Sequence, residues 1–157
     1  MININDNCAN LVKLYEGCKL NAYHDKIDPP DVDTVGYGTI QYPPTYLSGK
    51  KVKVGDPAIT QEQALDFLKW EISQQAQFVD PLLRDDLTVN QFDAVISFAY
   101  NEGVGKFKTS TLRAKINANP NDPSIRDEFM KWVYADGQVQ GGLIKRRKAE
   151  ADLYFTK

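Results

Sequence analysis

Five carboxylates stand close together between positions 16 and 33 of the 157-residue chain: Glu16, Asp25, Asp28, Asp31 and Asp33. Glu16 follows an apolar pattern, Leu11, Leu14, Tyr15 and Cys18, at the i, i+3, i+4, i+7 spacing of one helix face. Gly17 comes next and marks the end of that helix, because glycine tolerates the left-handed geometry of a helix stop. An anion there meets the negative end of the helix dipole, which favours the neutral acid. A neutral glutamic acid beside an ionised aspartate is the pair that glycoside hydrolysis requires. The acid protonates the leaving oxygen; the carboxylate activates water or balances positive charge on the sugar. Residue type alone leaves the plainer reading open, in which these are solvated loop carboxylates.

Such a pair needs elements to hold it. Residues 22–54 contain Pro29, Pro30, Pro43 and Pro44, with Gly36, Gly38 and Gly49, and so break any helix. Thr34 to Ile40 is β-branched and aromatic with interspersed glycines, which predicts a twisted antiparallel hairpin. Lys51 to Val54 alternates and predicts a further short strand. From Thr60 onward the chain reads as helical. Thr60 with Gln63 and Thr88 with Gln91 form capping boxes. They open stripes of Leu65, Leu68, Ile72, Ala76 and Val79, and of Phe92, Val95, Ile96, Ala99 and Tyr100, the second stopped near Gly103. A short helix is predicted from Ser110 to Asn117. Asp122 and Pro123 predict a capped start to a helix carrying Ile125, Phe129, Trp132 and Val133. Gly141 and Gly142 open a last helix with Leu143, Ala149, Leu153 and Tyr154. The order predicts an α+β fold with a small sheet-bearing part and a larger helical part. A cleft between them is the expected ligand site.

Composition narrows the classes. Apolar residues make up 42% and charged residues 25% of the chain, with 19 basic against 21 acidic side chains and a net charge of −2. These values are those of a globular domain burying roughly 70% of its unfolded surface. They exclude a disordered chain, and no apolar run reaches the ~18 residues of a transmembrane helix. A dedicated nucleic-acid binder would be strongly basic, so nucleic acid is not an expected partner. The N-terminus lacks a basic region and an apolar core, so no secretory signal is read there. That predicts a protein made and kept in a cytoplasm, with Cys8 and Cys18 as free thiols rather than a disulfide. Two cysteines and His24 are too few for a zinc cluster, and neither metal nor cofactor is expected.

Several segments together resemble the phage-type lysozymes, glycoside hydrolase family 24. They are Leu14-Tyr15-Glu16-Gly17, Ala22-Tyr23-His24-Asp25 and Thr34-Val35-Gly36-Tyr37-Gly38-Thr39. Asn90 to Val95 with Phe98 to Gly103 matches the family's central helix and its exit. Ser110-Thr111-Leu112 and Gly141 to Arg147 with Glu150 and Leu153 to Phe155 match later signatures. The matches run from about Leu11 to Phe155, nearly the whole chain. The resemblance implies a single lysozyme-like domain over residues 1–157, with a sheet-containing lobe near 12–58 and a helical lobe near 59–157 on which the N-terminal helix packs. It implies an endolysin muramidase that hydrolyses the β-1,4 bond between N-acetylmuramic acid and N-acetylglucosamine in peptidoglycan. Glu16 would be the general acid. Asp25 would orient or activate water, and Thr34 would hold that water. An inverting mechanism would set the two carboxyls roughly 6.5–9.5 Å apart. Eight residues separate Asp25 from Thr34, where the family has five. This lengthens the Lys26–Asp33 turn and makes Asp33 a rival for the second carboxylate. Tyr100, Asn101 and Thr111 are the implied substrate contacts. The implied protein is a monomer without stable membrane insertion, kept in the host cytoplasm until it reaches the wall through a membrane pore. The competing readings are an inactive glycan-binding or phage structural module and a lytic transglycosylase.

Three further features have alternatives. His24 either tunes Asp25 or is an exposed structural residue. Trp70 and Trp132 fall in apolar stripes and read as core rather than as sugar platforms. Residues 140–157 hold five basic and two acidic side chains. Lys145, Arg146, Arg147 and Lys148 thus form either a patch for an anionic wall or a solvated face paired with Glu150 and Asp152.

Overall fold

The structure, a computed structural model, describes residues 6–26 and 32–157. Asp28 and Asp31 of the acidic cluster, and most of the Lys26–Asp33 turn, lie outside the described residues. The fold is α+β, as the element order predicts.

Helix α1 (Asp6–Tyr15) buries Cys8, Ala9 and Val12, whereas Leu14 is 74% exposed. The expected stripe through Leu11 and Leu14 is therefore rotated. Leu14 follows Val12 by two residues, about 200° round a 3.6-residue turn, so both cannot face inward. Both cysteines are free thiols. Burial pushes the Cys8 thiol up, and the charges of Asp93 and Glu150 push it further, so it stays protonated and inert.

Strands β1 (Lys19–Asp25) and β2 (Val32–Gly36) form an antiparallel pair, with Tyr23 opposite Thr34, His24 opposite Asp33 and Lys19 opposite Gly36. Gly36 has φ +66°, and a Cβ there would stand 3.3 Å from the Ala64 Cβ. Both facts demand glycine. The strand expected at Lys51–Val54 is reduced to one bridge between Gln41 and Lys51. The Asp56 carboxylate accepts from the Lys53 N–H at 2.8 Å and bends the chain away.

Helix α2 (Gln61–Val79) begins at the Thr60 capping box, whose reciprocal bonds with Gln63 measure 2.9 and 3.0 Å. Leu68, Ile72, Ala76 and Val79 are buried as expected; Leu65 is half-buried. Helix α3 (Val89–Glu102) has the second capping box at Thr88 and is buried all round from Gln91 to Ala99 before Gly103 ends it with φ 97°. Helix α4 (Val104–Lys108) was not expected from the sequence. Helix α5 (Thr111–Ala118) is capped by the Ser110 hydroxyl, which accepts from the Arg113 N–H. Asp122 caps the turn before helix α6 (Ile125–Met130) rather than the helix itself, by accepting from the Ser124 N–H at 2.9 Å. Strands β3 (Tyr134–Ala135) and β4 (Gln138–Val139) follow, joined through Asp136 and Gly137, both at positive φ. Helix α7 (Gly141–Tyr154) closes the fold and packs on α3 and α6. Among the described residues, no helix is long and apolar enough to cross a membrane.

Two compact units emerge. One comprises the N-terminal residues through Leu11 together with Gln74–Lys157; the other is Val12–Ser73. In the first, Phe98 packs edge-on against Phe107, Phe129 and Trp132, which places Trp132 in the packing as expected.

The buried face of α7 is polar. Arg146, Arg147 and Glu150 are buried beside Ala151 and Tyr154, while Leu143, Ala149 and Leu153 are only half-buried. Arg147 Nη1 donates to both Glu150 oxygens at 2.7 and 2.8 Å. Its Nη2 donates to Glu102 at 2.8 Å and also to Asn101, and its Nε donates to the Trp132 carbonyl at 2.9 Å. Arg146 Nε donates to Glu150 at 3.1 Å and Nη2 to the Ser97 carbonyl at 3.2 Å. Burial pushes the Glu150 carboxyl up, and the two guanidiniums oppose it. The central arginines of the Lys145–Lys148 run are thus interior, and a four-cation surface patch does not form.

Candidate active site

Glu16 sits one residue past the end of α1, fixed by its N–H donating to the Val12 carbonyl at 2.9 Å. Asp25 is the last residue of β1, and Thr34 is in the middle of β2. Side chains alternate along a strand, and the register sets Tyr23 opposite Thr34. Tyr23, Asp25 and Thr34 therefore share one face of the hairpin. A pocket of about 370 Å³ is lined by all three together with Glu16, Gly17, Cys18, Lys19, Gly38 and Ile40. Glu16 and Asp25 are half-buried and Thr34 is 5% exposed. Burial pushes the Tyr23 phenol up, and the charges of Asp25 and Glu16 push it further. That places both acids within electrostatic reach of one hydroxyl.

The same register turns Asp33 to the other face. Asp33 Oδ1 lies 2.8 Å from His24 Nδ1, and Oδ2 accepts the Val54 N–H at 2.9 Å. These two hydrogen bonds, the His24 one first, hold the Asp33 carboxyl below the usual carboxylate range, and the charges of His24 and Lys53 add to them. His24 is thus an exposed residue tied to Asp33. The sign follows from linkage. A depressed carboxyl contributes stability that is fully present above its unfolded pKa, near 3.9, and is lost as pH falls through the folded value. Replacing His24 by alanine is expected to move the Asp33 titration midpoint upward, as read by carboxyl-carbon NMR. An unchanged midpoint would assign the depression to the Val54 N–H and the Lys53 charge.

The residues expected to touch substrate elsewhere belong to the helical unit. Tyr100 is half-buried near the end of α3, and Thr111 is exposed in the first turn of α5. Asn101 is exposed, but its side-chain oxygen is occupied by Arg147. Cys18, Lys19, Tyr23 and Ile40 were not among the expected site residues. Strand alternation would have found Tyr23, which lies two positions before Asp25. Among the described residues, no group of three or more His, Cys, Asp or Glu side chains is placed to hold a metal ion.

Comparison with known proteins fits this geometry. The sequence matches the phage lysozyme family over residues 13–150. The chain belongs to the phage lysozyme family. It is similar to the endolysin of Bacillus phage B103, with 37% identity over 155 residues covering 99% of this chain and 55% of that protein. It is also similar to the endolysin of Acyrthosiphon pisum secondary endosymbiont phage 1, with 38% identity over 150 residues covering 92% of each. Among solved structures, the endolysin of Escherichia coli O157:H7 phage FAHEc1 superposes with a TM-score of 0.80 at 31% identity, over 98% of this chain and 93% of that one. The chain spans about half the length of the B103 protein and nearly all of the other two. The family match takes in Glu16, Asp25 and Thr34, and the lysozyme-like fold expected from the sequence is the one observed.

Proposed function

We propose that the chain is an endolysin-type muramidase that hydrolyses the β-1,4 linkage between N-acetylmuramic acid and N-acetylglucosamine in peptidoglycan. The observation that carries this reading is that Glu16, Asp25 and Thr34, drawn from a helix end and two strands, line one pocket. Glu16 protonates the glycosidic oxygen as the bond breaks. Asp25 accepts a proton from the attacking water and balances the positive charge that develops on the sugar. Thr34 holds that water with its hydroxyl. The assignment of Tyr100, Asn101 and Thr111 to substrate contact rests on the family resemblance. So do the single-domain organisation, the monomeric state and the route from host cytoplasm to wall.

The second carboxylate is the sharpest test. Asp25→Asn is expected to lower turnover by roughly 10²-fold or more, whereas Asp33→Asn keeps most activity because Asp33 faces away from the pocket. The measurement is release of reducing ends from purified peptidoglycan, with product masses recorded. The opposite ranking would transfer the role to Asp33. Anhydro-sugar products would instead make the protein a lytic transglycosylase. Binding to the wall with no bond cleavage would make it a glycan-binding module.

A further inference from the structure

We propose that Lys19 is a specificity-determining residue of this site, held over Tyr23 to receive a carboxylate carried by the glycan substrate. Three observations carry it. First, Lys19 lines the same pocket as Glu16, Asp25 and Thr34. Second, its Nζ stands 4.1 Å from the centroid of the Tyr23 ring. A cation lying on a ring face is fixed in place but spends none of its three N–H donors there. Those donors stay available to an incoming anion. Third, the placement is built by the backbone. From Lys19 to Tyr23 is four positions on β1, but their partners Gly36 and Thr34 are two apart on β2. The extra residues form a bulge, and bulges re-aim side chains beside functional sites. Opposite Lys19, Gly36 holds φ +66°, and a Cβ there would stand a tight 3.3 Å from the Ala64 Cβ. The bulge and the glycine together bring the ammonium onto the face that carries Asp25.

A pocket with an ionised Asp25 would by itself repel an anionic polymer. A fixed ammonium at its wall reverses that locally and selects sugars bearing a carboxylate over neutral ones. This inference rests on the muramidase reading. The carboxylate has two sources in that substrate: the lactyl ether of muramic acid once the peptide stem is removed, and the stem itself when it is intact.

The experiment compares the wild type, Lys19→Met and Lys19→Arg on three forms of purified glycan strand. Intact strands carry stem carboxylates, amidase-stripped strands carry lactyl carboxylates, and stripped strands capped with methylamine carry neither. Lys19→Met is expected to lower kcat/KM by about fivefold on a charged form, chiefly through KM, as befits a partly exposed ion pair. Lys19→Arg retains most of it. On capped strands the gap narrows to under twofold. A loss confined to stripped strands assigns the lactyl group, and one confined to intact strands assigns the stem. An equal loss on capped strands, or none on either charged form, overturns the proposal. If the wild type releases no reducing ends from any strand, the muramidase reading fails. Equilibrium binding of the same three strands then decides Lys19 separately. About fivefold weaker binding of a charged form by Lys19→Met supports the contact, and equal binding overturns it.

Discussion

Replacing Glu16 by glutamine abolishes cleavage of purified peptidoglycan, with an expected fall of roughly 10³-fold, while the protein stays folded. The carboxamide has nearly the same shape as the acid but no proton to give. General-acid assistance accounts for about 10²–10⁴-fold in such reactions. The fold is expected to survive because Glu16 is only half-buried, the amide is nearly isosteric, and the backbone bond from its N–H to the Val12 carbonyl is kept. The check has two parts: reducing-end release from wild type and variant side by side, and a thermal melt that shows no shift beyond a degree or so. Unimpaired turnover by the variant would remove position 16 from the chemistry and with it the assignment of the pocket.

The largest expected loss of stability comes from the other unit. Glu150→Ala strips Arg147 of two charge-assisted bonds at 2.7 and 2.8 Å and Arg146 of one at 3.1 Å. Both guanidiniums are left in the interior, where Arg147 is fully buried and Arg146 is 3% exposed. Breaking one partner of a buried pair costs about 3–5 kcal/mol, because the remaining charge has lost its compensation. In a protein of this size that lowers Tm by roughly 10 °C. Urea unfolding of the variant measures it. The double variant Arg147→Met with Glu150→Leu separates mechanism from packing. Removing this pair with apolar groups of similar volume should recover the part of the loss due to Arg147, while Arg146 stays buried without its Glu150 bond. A single variant within 1 kcal/mol of wild type would show that Ser97, Glu102 and solvent satisfy the arginines without Glu150.

Local signals in the sequence were reliable where the interactions they report are themselves local. The Thr60 and Thr88 capping boxes and the Gly103 stop each involve groups three or four residues apart, and each is found as read. Other local signals were passed over. Asp136-Gly137 is a strong hairpin signature, and it joins β3 to β4. Arg147, Ala151 and Tyr154 lie on one helical stripe at i, i+4 and i+7. That spacing already marks a buried arginine in need of a partner, and Glu150 stands three residues away.

The site divides the same way. The chain alone offered Glu16 and the carboxylates after it, Asp25 and Asp33 among them, as candidate acids, with a helix end and a hairpin to present them; Thr34 came from the family resemblance. Which of Asp25 and Asp33 lines the pocket with Glu16 was decided by tertiary structure. A shift of one position in strand register exchanges the faces of the hairpin, and the register depends on how eight intervening residues return the chain. The register shift between Lys19 and Tyr23 lies opposite Gly36, which packs against Ala64, twenty-eight positions away in sequence. Whether Arg146 and Arg147 face water or the interior was likewise settled by residues of α3, about fifty positions earlier. Helix caps and stops are fixed by neighbours along the chain; registers, bulges and buried charge pairs are fixed by neighbours in space.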